Sequence, residues 1–376
     1  YSDIMNDKVI QSLIRAQTKR QNDTLNLIPS ENFVSGDVLQ ALGSPLTNKY
    51  AEGYSGLRYY GGNEYIDKIE EICKSRALKL FHLPSSKWHV NVQPYSGSPA
   101  NVAVYSALVP FGEKIMGLRL DMGGHLTHGH KVSITGQAWK SAQYGVDRKT
   151  ELLNYSEIMM IAKREKPRLI IAGYTAYPRI IDFRKFRHIA DAVGAYLLVD
   201  MSHFAGLVAG SVYPTPFTYA DVVTTTTHKT LRGPRAALIF CKKELASKID
   251  RAVFPGLQGG PHANQIAATA VALYEAMQPS FRKYARQVVK NAKVLAAELS
   301  KKGFRLVSGG TDTHLLLIDL TKKGITGKQA SDRLEAQGII VNKNTIPFDP
   351  RPPMDPSGIR LGTPALTTRG MKEKEM

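Results

Sequence analysis

Asp221-Val-Val-Thr-Thr-Thr-Thr-His-Lys-Thr-Leu-Arg-Gly-Pro-Arg235 reads as a short strand that ends in hydroxyls and turns into a polar loop. Two further segments share that form, Arg168-Leu-Ile-Ile-Ala-Gly173 and Ala195-Tyr-Leu-Leu-Val-Asp200, each closing on a small or polar residue. From residue 90 to about 240 such runs alternate with helical stretches, the pattern of βαβ units around a mostly parallel sheet. Ligands of open α/β sheets bind outside the carboxyl ends of the strands, so the residues there deserve the closest reading.

At the end of the opening stretch stands Lys229. Among hydroxyls and a histidine a lysine is partly desolvated, which lowers its pKa and makes it a candidate for Schiff-base chemistry; a solvated loop lysine is the plain alternative. Asp200 closes an apolar strand, where an aspartate is most often a helix cap. It is also the group that would pair with the ring nitrogen of pyridoxal phosphate, whose chemistry needs an acid and a lysine together. Tyr95-Ser96-Gly97-Ser98-Pro99-Ala100-Asn101 runs into the apolar Val102–Leu108, a helix start able to hold a phosphate. Gly259 and Gly260 could bring backbone close to the same group, or simply make a turn. His125, His128 and His130 invite a metal reading, but no carboxylate or cysteine completes a ligand spacing, and an imidazole stacked on a heteroaromatic ring is the better use. Arg360, between apolar neighbours in Ser357-Gly-Ile-Arg-Leu-Gly-Thr363, suits a substrate carboxylate through two parallel hydrogen bonds, or a surface ion pair.

Farther out, Val9, Ile10, Leu13 and Ile14 recur at helical spacing and predict an amphipathic arm over about 7–21. A helix is expected at 64–80, with Ile66, Ile69, Cys73, Ala77 and Leu80 on its core side. Another is expected at 283–300, then strands at Phe304–Val307 and His314–Leu320, a helix near 327–337 and a strand at Ile339–Asn342. The 376 residues thus divide into an arm (1–45), a larger domain (46–275) and a smaller α+β domain (276–376). At 43% hydrophobic and 22% charged, the composition excludes disorder as the main state. A net charge of +18 predicts an anionic partner without choosing among nucleic acid, membrane surface and polyanionic small molecule. Two cysteines match no disulfide framework or zinc spacing, which points to a reducing compartment. No apolar run is long enough to span a membrane, and a soluble protein is expected. The start at Tyr1 leaves room for a processed leader.

With lysine, aspartate, phosphate turn and arginine in this order, nearly the whole chain resembles the serine hydroxymethyltransferase family. The segments that carry the likeness include Thr47-Asn-Lys-Tyr-Ala-Glu-Gly53, Arg58-Tyr-Tyr-Gly-Gly62, Gly123–Gly129, Val199–His203, Thr224–Arg235, Phe254–Pro261 and Gly358–Pro364. The resemblance implies an aspartate-aminotransferase-like fold of type I, pyridoxal 5'-phosphate as cofactor and tetrahydrofolate as cosubstrate. The implied reaction moves the hydroxymethyl carbon of serine to tetrahydrofolate, giving glycine and 5,10-methylenetetrahydrofolate through an external aldimine. It also implies a homodimer with shared active sites, in some relatives a tetramer, in cytoplasm or mitochondrial matrix, with no membrane and no required nucleic acid. Asn63-Glu-Tyr-Ile-Asp67 and Ser96-Gly-Ser-Pro99 look eukaryotic.

By the same resemblance Lys229 holds the cofactor, flanked by His228 and Thr226. Asp200 pairs with the ring nitrogen, His125 stacks on the ring, and His203 and Thr175 lie near its phenolic oxygen. Ser96, Gly97 and Ser98 bind the phosphate, joined by Gly259 and Gly260 from the other subunit. Arg360, Ser30 and Tyr60 fix the substrate carboxylate, and Glu52 handles the proton that accompanies chemistry at Cβ and folate attack. Tyr50 approaches the other subunit's site, and Arg235 supports the tyrosine and cofactor region. Leu120, Gly124, Leu126, Asn344 and Pro352-Pro353-Met354 surround the folate. Arg119 stands beside that loop where relatives often carry an acidic or neutral residue. Relatives continue past Met376, so the small domain is expected to be incomplete here. The rival within enzymes is another pyridoxal-phosphate aldolase such as a threonine aldolase, and the rival outside them is a basic RNA-binding protein. Glu52 in its context argues against the first, and the even spread of Lys and Arg against the second.

Overall fold

The computed structural model describes residues 5–376. Its main sheet has seven strands: β1 Trp88–Asn91, β2 Lys114–Leu118, β3 Lys140–Tyr144, β4 Leu169–Ala172, β5 Tyr196–Asp200, β6 Val222–Thr226 and β7 Ala237–Lys242. Their order across the sheet is β1-β7-β6-β5-β4-β2-β3. The five strands from β6 to β3 run parallel, while β7 is antiparallel to β6 and to β1. The structure is therefore an α/β protein with a mixed, mostly parallel central sheet.

Parallel strands need helical crossovers and are covered on both faces, which explains why these segments read as unbroken apolar runs. Alternate residues feed two cores. Met116, Ile170, Leu197 and Val199 pack with Phe186, Ile189 and Cys73 on one side. Ile115, Leu169, Ile171 and Leu198 pack with Ala100, Val104 and Trp139 on the other. Replacing Ile170, fully buried, by Ala should cost about 2–5 kcal/mol.

Helix α1 spans Lys8–Asp23, α2 Glu64–Leu80, α3 Gly97–Leu108 and α4 Pro279–Lys301. The α2 stripe faces the core as its spacing predicts, with one addition: Glu70 is as buried as Cys73 and Ala77. The apolar residues of α1 form the expected helix, yet Val9, Ile10, Leu13 and Ile14 are all exposed.

A second sheet is antiparallel, with β8 Arg305–Leu306, β9 Leu315–Asp319, β10 Asn342–Asn344 and β11 Gly358–Gly362 in the order β8-β9-β11-β10. It has its own core of Leu306, Leu316, Ile318, Ala330, Ile359 and Leu361. The segment behind α1 joins this sheet's surroundings: Leu25 and Asn26 pair with Ile339 and Ile340. Contacts between the sheets are specific. Arg179, past the end of β4, donates to the Ser308 carbonyl and to Asp312, and Arg305 reaches Glu151 at 2.6 Å.

Candidate active site

The carboxyl ends of β2, β4, β5 and β6 open on one cavity of about 490 Å³. Gly173 lets two of those ends close up: it has φ +125°, and a Cβ there would lie 2.0 Å from the Asp200 carbonyl oxygen. Gly97 does the same for the turn into α3, where a Cβ would meet Thr226 at 2.7 Å.

Lys229 projects from the loop after β6. Its Nζ lies 3.3 Å from Thr226 Oγ1, and its backbone carbonyl accepts a hydrogen bond from Asn32. Burial, with Arg360 and Arg235 adding to it against the pull of Asp200, lowers the amine from its ordinary 10.5 to about 8. The desolvation read from the sequence is present.

Asp200 at the end of β5 is nearly fully buried. Burial alone would raise its pKa, but four contacts favour the carboxylate. His128 Nε2 lies 3.2 Å away, Asn101 donates at 2.9 Å, and the Ser202 hydroxyl and N–H donate at 2.6 and 3.1 Å. The result lies well below the usual carboxylate range, so this is a fixed anion rather than a solvated cap.

His125 hangs over the same space, with Nδ1 2.7 Å from Thr127 Oγ1. Burial, then the neighbouring His128, brings it to about 4, so it is neutral near pH 7. The three histidines of this loop diverge: His125 lines the cavity, His128 supports Asp200, and His130 lines a neighbouring groove. His228 is lowered to about 3 by burial, and its Nδ1 is buried without a partner. His203 contacts His314, Nδ1 to Nε2 at 3.2 Å.

Arg360 on β11 enters from the second sheet. Its Nε donates to Asn342 Oδ1 at 3.1 Å and its Nη1 to the Thr175 carbonyl, and no carboxylate pairs with it among the described residues. Burial lowers it to about 10. A buried guanidinium lacking an acid partner is a receptor for a small carboxylate.

Ser96 caps α3 in position, but its side chain makes no capping hydrogen bond. With Pro99 at the third helical position, the N–H groups of Gly97 and Ser98 and two hydroxyls are left to meet an anion. Ser30, Leu120, Gly124, Leu126, Thr175, Arg235 and Asn344 also line the cavity. Cavity size, fixed anion, neutral imidazole, lysine and anion-binding helix end together fit pyridoxal phosphate.

Eight residues expected at the site do not line this cavity: Tyr50, Glu52, Tyr60, Gly259, Gly260, Pro352, Pro353 and Met354. The first five form a patch of their own. The rings of Tyr50 and Tyr60 lie 4.9 Å apart, Gly260 backs onto Tyr50, and Gly259 onto Glu52 Oε1. Tyr95, next to the phosphate turn, donates to the Gly260 carbonyl at 2.7 Å. Met354 is exposed elsewhere. Arg119 forms a two-pronged ion pair with Asp121, which accounts for its charge.

Several contributors went unread. Asn101, His128 and Ser202 sit inside the motifs above without an assigned role, and their only signal was proximity to those motifs. Asn342 and His314 were legible only as strand ends.

These features define a lysine-based cofactor enzyme acting on a small carboxylate substrate. A family model described as serine hydroxymethyltransferase matches residues 4–376. Proteins named serine hydroxymethyltransferase from Acidothermus cellulolyticus, Acidobacterium capsulatum and Desulfotalea psychrophila are 57%, 56% and 59% identical to this chain over 370 residues. Each match covers 98% of this chain and 86% of the relative. The chain belongs to the serine hydroxymethyltransferase family, pyridoxal-phosphate-dependent transferases that exchange a one-carbon unit between serine, glycine and tetrahydrofolate. All three relatives are bacterial and lend no support to the eukaryotic reading or to a mitochondrial location. Among the described residues no helix is long and apolar enough to cross a membrane.

Proposed function

We propose that the Lys229 cavity carries out the family's reaction, reversible transfer of the serine hydroxymethyl carbon to tetrahydrofolate. The observation that carries this is Arg360: a buried guanidinium without an acid partner among the described residues, facing the same cavity as a lysine of lowered pKa. Bound pyridoxal phosphate supplies the electron sink for bonds broken at the substrate's α carbon. The chain's own residues do the rest. Lys229 offers an amine that is partly neutral near pH 8. With the cofactor bound, Asp200 would keep a proton on the ring nitrogen, His125 would cover the ring without bringing charge, and Thr175 and His203 would stand near the phenolic oxygen. Ser96, Gly97 and Ser98 take the phosphate, while Thr226, His228 and Arg235 hold the lysine's surroundings. Arg360 and Ser30 orient the carboxylate. Leu120, Gly124, Leu126 and Asn344 receive the folate, with Met354 at its edge.

Tyr50, Glu52, Tyr60, Gly259 and Gly260 would complete the cavity of a second copy in a homodimer, with Glu52 moving the proton that accompanies chemistry at Cβ. Their place outside their own cavity, with Tyr50, Tyr60 and Gly259 exposed, supports this. In this reading the fold is type I, with a large domain at 46–275, a small one at 276–376 carrying Arg360, and a location in the cytoplasm.

The purified protein should show a visible band that borohydride bleaches and that Lys229→Ala removes. Serine cleavage should depend on tetrahydrofolate. A rate indifferent to folate, with allo-threonine turned over well, would instead establish an aldolase.

A further inference from the structure

Glu52 carries the proton in the reading above, and what keeps it in place lies outside the reacting groups. We propose that Arg58 and Glu70 are positioning residues that fix Glu52 through its own backbone. The Arg58 guanidinium donates from one nitrogen, Nη1, to the carbonyls of Ala51 at 2.9 Å and Gly53 at 2.6 Å, the residues on either side of Glu52. Its other two nitrogens are anchored on α2: Nε to Asp67 at 2.8 Å and Nη2 to Glu70 at 2.7 Å. The Glu52 carbonyl itself accepts the Tyr59 N–H at 3.0 Å.

The anchor is dry. The Glu70 side chain is 0% exposed and that of Arg58 4%. Gln93, just past β1, donates both to Glu70 and to the Gly53 carbonyl, closing a ring from helix to loop. Lys74, at 3.3 Å, supplies a second cation to Glu70. Asp67 also accepts the Gly56 N–H, which pins the tip of the Gly53–Arg58 hairpin. A planar fork is required here, since a lysine ammonium cannot bridge two carbonyls while meeting two carboxylates in fixed directions. The side chain of Glu52 is thereby free to react while its backbone is not free to move. Displacements of about 1 Å can cost about 100-fold in rate.

The test uses cofactor-loaded enzyme carrying Glu70→Gln, Arg58→Lys, Glu52→Gln, and Glu70→Gln combined with Glu52→Gln. Glu70→Gln and Arg58→Lys should lower kcat for folate-dependent serine cleavage about 10- to 100-fold. The KM for serine should stay within about twofold, and the cofactor's visible band should be intact. Added to Glu52→Gln, Glu70→Gln should cost nothing further, because the residue it positions is already gone. Loss of the cofactor band, a loss that adds in full to that of Glu52→Gln, or no loss would overturn the proposal. If Glu70→Gln does not fold, Asp67→Asn removes only the Nε partner and carries the same test. Full activity in Glu52→Gln overturns the reading of Glu52 itself, an outcome separate from a silent Glu70→Gln beside an impaired Glu52→Gln.

Discussion

The cavity around Lys229 and the patch around Tyr50 differ in how far a single chain finishes them. In the cavity, Asp200 has four contacts and His125 two, and the groups left open, Arg360 and the α3 terminus, are those a ligand would satisfy. In the patch the backbone is locked while the side chains are bare: Tyr50 is 54% exposed, Tyr60 47% and Tyr59 75%. Rigid backbone under exposed aromatic side chains is what a surface needs if it is to complete a site on another molecule. In the proposed homodimer the cavity binds and the patch is delivered.

The strongest way to break that contrast is complementation. Lys229→Ala should lose at least about 10³-fold in activity, and Glu52→Gln should be severely impaired. If the two regions serve different subunits, unfolding and refolding an equal mixture creates hybrid dimers with one intact site. Activity should return to about a quarter of the wild-type value. If the patch serves its own chain's cavity, the mixture should remain as inactive as its parts.

A smaller effect isolates the cavity. Asp200→Asn keeps the shape but removes the fixed charge, and the donors His128 and Ser202 then face an amide. The expected loss in kcat is about 100-fold or more, with cofactor affinity also weakened. A near-normal rate would mean that the carboxylate does not pair with the ring.

What could be read from residues alone follows the same division. The strands with Lys229 and Asp200 at their ends were legible because an apolar run buried on both faces has only one way to stop, and its last polar residue marks a ligand-facing edge. Helix α2 was legible as a stripe, but Glu70 within it was not, because periodicity sees an apolar face and cannot see the arginine that makes a buried acid tolerable. Asn101 and Ser202 escaped for a related reason: their role is to bond Asp200, a relation set by tertiary packing. Glu52 and Lys229 read alike as site residues, since sequence order carries no sign that Glu52 stands outside the cavity that Lys229 lines.

The mildest prediction concerns the cavity without its ligand. Lys229 falls from 10.5 to about 8 on folding, so its contribution to stability depends on pH. Below pH 8 the amine is protonated in both states and the fold bears the whole penalty of holding that charge. Between pH 8 and 10.5 the unfolded chain keeps a proton that the folded chain has released, so stability rises with pH. The penalty is at most about 3 kcal/mol, because the side chain is half-buried and lines the cavity. Cofactor-free Lys229→Met should therefore be more stable than the cofactor-free parent at pH 7, and the gap should close toward pH 10. Buried tyrosines such as Tyr144, pushed up by burial, lose stability for both proteins above about pH 10 and drop out of the difference. Urea titrations at pH 7, 8, 9 and 10 measure that gap. A gap that stays constant with pH would mean the amine is as well solvated in the fold as in the open chain, and the cavity would then lack the pre-set lysine that separates it from the patch.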